Sequence, residues 1–485
     1  MPELIIEKAR SGADTCSYNG KRLHSAYDPQ KEARRFSDDV RAEKGAEWVL
    51  VTEPALSYCA AFLRGKFPGA RLAAVRYSGC FSFCDDMWDA VFDGSLQNPF
   101  LDETLYSRMG EEGIARCAFA SWKPSESAFP EEYAHTWQSI RSAVEKSRSV
   151  YATREFFGPL WAKNAVRFCT SVKNTALIRR GDAPIVIAAS GPSLAPVLPF
   201  LRERRKLFFL IAVSSALMPL EHAGIVPDLC ISTDGGWWAQ KHIERTRLAV
   251  PFALAAEASA PSAFFSERTI VPLRYGDSLE GILMDSCGIP SMPACRNGTV
   301  SGTAVEFALS ISSGAIYCCG LDMESGAGLP HSQPNALEQM HAAHDNALRP
   351  LQTRAAPAAL ARGSMETYRA WFESNAPRIA RRVARLCAAP YRKPLGTIAD
   401  LPPEAFLQRE ADRRNEMPRV EPTKIALGAR RRLDVARELL SDPRHHVALL
   451  RELFPVEALH PETLESASAE KFHAFMRRMR RYIEP

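Results

Sequence analysis

The chain has 485 residues, 46% of them hydrophobic and 24% charged, with a formal net charge of +5. At roughly 100 to 200 residues per domain this length gives two to four domains, each with material for its own core, and a charge so small excludes a protein built around nucleic acid. The start MPELIIEKARSG carries no basic segment followed by a long apolar stretch, and no run approaches the roughly 18 apolar residues of a membrane helix, so neither a signal peptide nor a span is expected.

From the N-terminus, Glu47-Trp48-Val49-Leu50-Val51 predicts a buried strand. The segment from Pro54 to Leu63 predicts a helix start and its apolar face, and Ala70 to Tyr77 the next strand. Strand, helix, strand in that order makes a βαβ unit and a parallel pair. With a Phe-, Cys- and Asp-rich loop from Cys80 to Asp86, this predicts a small α/β domain over residues 1–150. Residues 130–180 carry a long helical pattern, with Trp137, Ile140, Val144, Phe156, Leu160, Trp161, Val166 and Phe168 as apolar members.

Residues 151–405 predict a central domain, organised most plainly over 181–330. Pro184 to Ala189 is a β-branched strand ending in the turn Ser190-Gly191-Pro192-Ser193-Leu194, and Val197 to Lys206 is helical. Leu207 to Val213 is a second buried strand, a helix runs from Ala216 to His222, and Leu229 to Thr233 is a third strand ending at Asp234-Gly235-Gly236. Buried strands alternating with helices, each strand ending in small or polar residues, predict a Rossmann-like doubly wound parallel sheet with its ligand at the carboxyl ends. A helix from Thr303 to Ser312 and a strand from Ala315 to Cys319 extend it, followed by Gly320-Leu321-Asp322 and a polar loop containing His331. Residues 406–485 predict an Arg-rich helical region, Met476 to Arg481 being an example. The twelve cysteines lack zinc-ligand spacing and read as apolar thiols in a reducing, cytoplasmic compartment.

Four constellations bear on chemistry. The turn Ser190-Gly191-Pro192-Ser193 presents backbone N–H groups and a helix start to a phosphate, or is a plain strand–helix turn with Ser193 as the cap. Asp234, at a strand end, accepts from a ribose or substrate hydroxyl, holds a divalent metal, or simply makes an Asp-Gly turn. Asn297-Gly298-Thr299-Val300-Ser301-Gly302-Thr303 gathers hydroxyls and free N–H groups at another helix start, or is an ordinary capped helix. Asp322 with His331 offers an acid or base if the other elements surround it, and a surface histidine if they do not.

The runs Ile185 to Leu194, Ala212 to Leu217, Ala223-Gly224-Ile225-Val226-Pro227-Asp228 and Ser232-Thr233-Asp234, with Leu23 to Pro29 and Glu32-Ala33 upstream, resemble the motility-associated factor (Maf) family of flagellin glycosyltransferases. The central domain of that family is itself similar to an archaeal-type (MptE-like) pterin pyrophosphokinase. The pieces Ser190 to Leu194, Val300-Ser301-Gly302-Thr303 and Cys319-Gly320-Leu321-Asp322 also resemble bacterial sialyltransferases of glycosyltransferase family 42.

The resemblance implies transfer of a nonulosonic acid, of the sialic, pseudaminic or legionaminic type, from a CMP-sugar to Ser or Thr of flagellin. It implies that Ser190, Gly191, Pro192 and Ser193 hold the donor phosphate, and that Ser301, Gly302 and Thr303 contact the nucleotide. Ser214, Asp234 and Asp322 would line the donor site, and His331 would be the general base, with Asp234 beside it in catalysis. No cofactor or metal is required in this layout. The pterin reading would instead set magnesium and ATP on Asp234 and Asp322, and a flagellin-binding assembly helper without catalysis is a third reading. Two departures mark the sequence: Ala189 stands where the family has a glycine, and the loop from Glu324 to Pro330 lacks the tyrosines that the sialyltransferases keep near their histidine.

Overall fold

The structure, a computed structural model, describes residues 4–276, 278–323, 329–352, 362–410, 415–441, 449–459 and 470–479. Part of the loop Glu324 to Pro330 and the end of Met476 to Arg481 lie outside these residues. The chain divides into two compact units, residues 1–154 with 456–462, and residues 155–455 with 463–485.

The first unit opens with an antiparallel hairpin, β1 (Leu4–Lys8), β2 (Asp14–Tyr18) and β3 (Lys21–Arg22), that the sequence reading did not include. A parallel sheet follows, of β4 (Trp48–Thr52), β5 (Arg71–Arg76), β6 (Ala90–Asp93) and β7 (Cys117–Ser121), in the order β6-β5-β4-β7. The expected βαβ unit is β4, the helix Cys59–Lys66 and β5. Its helix begins later than Pro54, because Glu53, Ala55 and Ser57 all adopt left-handed φ, at 35°, 46° and 62°.

The long helical pattern is one helix, Pro130–Ser171. Phe156, expected on its apolar face, is exposed. The pattern also stops short of residue 180, since Asn174–Arg179 forms a strand, β8. No local period marks that strand; its partner β13 is drawn from about ninety residues downstream.

In the second unit the expected strands are β9 (Ile185–Ala188), β10 (Phe209–Val213) and β11 (Leu229–Ser232). The sheet continues through two strands and a short extension not read from sequence, β12 (Phe252–Ala255), β13 (Thr269–Arg274) and β14 (Met292–Pro293). β15 (Ile316–Cys319), β16 (Val383–Leu386), β17 (Ala399–Leu401) and β18 (Arg419–Thr423) complete it. The order β17-β16-β15-β9-β10-β11-β12-β13-β8-β18 is parallel except for the edge strand β18, with β14 pairing beside β13. The region after residue 405 is helical over Pro403–Glu410 and Ala429–Ser441 and also supplies that edge strand.

Every residue of β9, β10, β11, β12 and β15 is buried. That is why these segments read as continuous apolar runs: a parallel sheet is covered on both faces. From β9 the chain winds one way through β10, β11, β12 and β13, then returns to place β15 on the other side of β9. The reversal makes the carboxyl ends of β9 and β15 the switch point, where such sheets leave a crevice.

Candidate functional site

At the switch point β9 runs into Ser190-Gly191-Pro192, and β15 into Gly320-Leu321-Asp322. The two turns are tied together: the Ala189 N–H donates to the Cys319 carbonyl and the Gly191 N–H to the Gly320 carbonyl, both at 2.8 Å. Glycine is required at both positions. A Cβ on Gly191 would lie 2.0 Å from an Asp322 carboxylate oxygen and 2.7 Å from the Gly320 carbonyl, and one on Gly320 (φ 67°) 2.3 Å from the Ala189 carbonyl. Ala189, which stands in place of a glycine, is buried directly after β9.

Pro192 opens a 3-10 turn, Pro192–Val197, whose first N–H groups are not turned to an open cradle as the sequence reading expected. The Ser193 N–H faces both oxygens of Asp322 at 3.3 Å, and the Ser193 hydroxyl donates to Asp322 Oδ2 at 2.7 Å. The chain's own carboxylate thus sits at the N–H end of the turn, where an anion is favoured.

Two residues that sequence reading missed brace the two turns, one at Ser193 and one at Leu321. Tyr391 brings its hydroxyl to 3.0 Å from Ser193 Oγ, so a tyrosine stands at the site although the loop before His331 has none. Burial first of all pushes that phenol far up, so it stays protonated. Arg385, fully buried, clamps Asp400 with two hydrogen bonds of 2.7 and 3.0 Å, donates to the Leu321 carbonyl at 3.3 Å, and lies 3.8 Å over the Tyr391 ring. A bidentate guanidinium fixes geometry as well as charge.

The other side of the crevice is made by the end of β10. Ser214 is buried in the turn Ser214–Ala216, and the next residue, Ser215, donates its hydroxyl to Ser190 Oγ at 2.7 Å. Asn335 Nδ2 donates to the Ser215 carbonyl at 3.3 Å while its own oxygen caps the helix Ala336–Ala342. His331 is carried to the same place by its neighbour, since the Ser332 N–H donates to the Ser190 carbonyl at 2.7 Å. His331 Nδ1 lies 3.8 Å from Glu338 Oε1, beyond hydrogen-bond reach but close enough for charge to act. Burial lowers the His331 pKa below the ordinary histidine value and Glu338 opposes it, which keeps the ring neutral near pH 7. His242 faces His331 with ring centroids 6.2 Å apart, and is lowered to about 4 by burial and then by the charge of His331.

Asp234 and the residues Ser301, Gly302 and Thr303 form an adjoining group. Asp234 stands two residues beyond β11, and its Oδ1 accepts from the Gly236 N–H at 2.7 Å, the Asp-Gly turn that the sequence offered as one reading. The helix Trp237–Glu244 that follows carries His242 toward His331, so Asp234 and His331 flank one short helix. The helix Val300–Ile311 starts at Thr299 with no side-chain cap. Its far end is fixed at the amino end of β9, where the Gly181 N–H donates to the Ile311 carbonyl at 3.0 Å and Ser312 Oγ to the Ala183 carbonyl at 2.6 Å. Its uncapped start therefore opens at the carboxyl ends of the strands, on the same edge as Gly191 and Asp234. Thr303 is buried and spends its hydroxyl on the Cys295 carbonyl at 2.9 Å, which leaves Ser301, half-buried, as the hydroxyl at the mouth. The helix Arg362–Ile379 bridges the pair: Trp371 packs on Gly302, and Asp234 adds to the burial that raises the Tyr368 phenol.

No helix among the described residues is long and apolar enough to cross a membrane, and all twelve cysteines are free.

An uncharacterized protein of Treponema pallidum (strain Nichols) is 29% identical over 313 residues, which span 64% of this chain and 70% of that relative. The solved structure of the MAf glycosyltransferase from Magnetospirillum magneticum AMB-1 aligns with a TM-score of 0.49 at 10% identity, over 100% of this chain and 90% of its own. Residues 161–326, which hold β8 through β15 and both turns of the switch point, match the 6-hydroxymethylpterin diphosphokinase MptE-like family.

Proposed function

We propose that the second unit is a glycosyltransferase that binds a nucleotide-activated sugar at the carboxyl ends of β9, β10, β11 and β15. The donor is a CMP-linked nonulosonic acid and the acceptor a Ser or Thr hydroxyl of flagellin, the reaction taking place in the cytoplasm. One observation carries the reading: the segment bearing His331 is hydrogen-bonded to the Gly191 turn itself, through the Ser332 N–H and the Ser190 carbonyl. A base candidate and a donor-binding turn are thereby held in one crevice.

The roles divide by charge. The uncapped start of the helix Val300–Ile311, with Ser301 and Gly302, meets the donor phosphate through free N–H groups. Asp322, already an anion, is unsuited to a phosphate and accepts instead from a hydroxyl of the ribose or sugar, with Ser193 fixing its direction. Ser190 and Ser214 line the space between, and Asp234 faces the donor from β11. As the glycosidic bond breaks, negative charge grows on the leaving phosphate, where the helix start stabilises it. Neutral His331 takes the proton of the acceptor hydroxyl, and Glu338, 3.8 Å away, stabilises the imidazolium that forms. N–H and hydroxyl groups neutralise the phosphate in this scheme, so no cofactor is required.

The family match over 161–326 favours one second reading, a pterin diphosphokinase using ATP and magnesium with Asp234 and Asp322. Thermal shift separates them. Stabilisation by CMP, reduced in Ser301→Ala, supports the glycosyltransferase, whereas stabilisation by ATP with magnesium and none by CMP supports the kinase. A protein that binds flagellin and neither nucleotide is an assembly helper, and the crevice then has no donor. Mass spectrometry of flagellin incubated with CMP-sugar and this protein reads transfer directly.

A further inference from the structure

Behind the Asp234 turn lies a group of charges that the reaction above does not use. Glu257 stands two residues beyond β12, Glu280 on the helix Leu279–Ser286 that follows β13, and Glu452 in the stretch 449–455 of the same unit. All three are buried, and one carboxylate oxygen from each falls within 4.8 Å of the others. Arg296 reaches Glu257 at 2.6 Å and Glu452 at 3.7 Å from the same nitrogen. Glu280 is different. It is 2% exposed, and its Oε1 has no hydrogen-bond partner although it points into the space it shares with Glu257, Glu452 and Trp161. A buried carboxylate oxygen without a partner costs several kcal/mol, roughly, unless something positive meets it.

We propose that Glu257, Glu280 and Glu452 bind a hard divalent cation. Carboxylate oxygens select hard cations. The ion ties the end of β12, the helix after β13 and the Glu452 segment together. Its influence reaches the Asp234 turn through Asn164, which donates to the carbonyls of both Gly235 and Glu257.

Terbium serves as the probe, because it takes calcium sites and is excited through a nearby indole; Trp161 lines this one. The whole chain is titrated with terbium while green emission is followed under indole excitation, and in parallel its melting temperature is followed with calcium. Saturable emission is expected, displaced by excess calcium, with a rise in melting temperature. Glu280→Gln, which keeps the shape of the side chain, is expected to weaken both responses tenfold or more. Trp161→Phe is expected to abolish the emission and keep the calcium-induced rise. Absence of both responses, or full retention of both in a folded Glu280→Gln protein, overturns the site.

Discussion

In the first unit the chain leaves its switch-point strand β4 through Glu53, Ala55 and Ser57, each in a left-handed conformation. In the second it leaves β9 through Ser190 and Gly191 with ordinary φ, and closes the gap with glycines at 191 and 320. The first turn is filled from within. Arg76, 5% exposed, donates to Glu53 at 3.1 Å, to the Ala55 carbonyl at 2.9 Å and to Ser57 at 2.9 Å, and pairs with Asp85 at 2.9 Å. Its guanidinium holds the strained backbone in place, at roughly 1–2 kcal/mol of strain per residue. The second turn is held by backbone bonds and one carboxylate, and is lined with hydroxyls. Similar sheet topologies therefore end in different turns: one is locked by a buried ion pair, and the other is built of small residues held by backbone bonds and Asp322.

Removing the lock should have the largest effect. Arg76→Ala leaves Glu53 buried and unpaired, with an expected loss of about 3–5 kcal/mol in denaturant unfolding; a loss under 1 kcal/mol would show the left-handed turn to be self-supporting. In the second unit, His331→Ala should cut transfer to flagellin by about 10²–10⁴-fold with little change in stability, and wild-type transfer would remove His331 as the base. Because the neutral ring is required and its pKa is lowered, transfer should hold down to pH 6.5 and fall only below it.

The acid side of stability tests the same unit. His242 has a folded-state pKa of about 4 against 6.5 unfolded, so between these values the unfolded chain binds more protons. Its contribution is complete above pH 6.5 and lost as pH falls toward 4, roughly 3 kcal/mol in all. His242→Gln should flatten that part of the pH–stability curve, and an unchanged slope would place the loss elsewhere. Gly191→Ala should cost about 1–3 kcal/mol by forcing Asp322 aside, and should weaken CMP binding in calorimetry. The smallest effect is expected where strain is relieved: Ala55→Gly should gain up to about 1 kcal/mol, left-handed strain outweighing chain entropy. A loss there would show that the buried methyl matters more than the backbone.

The sequence by itself determined the strands β4, β5, β9, β10, β11 and β15 and the turns after β9, β11 and β15, because continuous apolar runs punctuated by Gly, Pro, Ser and Asp are local signals. It also singled out Gly191, Asp234, Ser301, Asp322 and His331 as residues at strand ends and helix starts. The tertiary structure alone decided that Asp322 fills the Ser193 N–H end, that Tyr391 bonds Ser193 and Arg385 the Leu321 carbonyl, and that Glu338 faces His331. It alone placed β8 between β13 and β18, and gathered Glu257, Glu280 and Glu452 around one point. Ser193 and Tyr391 are 198 residues apart, and Arg385 and Leu321 64. Such pairs leave no period or motif in the chain; burial and electrostatics join them once the sheet has brought their strands side by side.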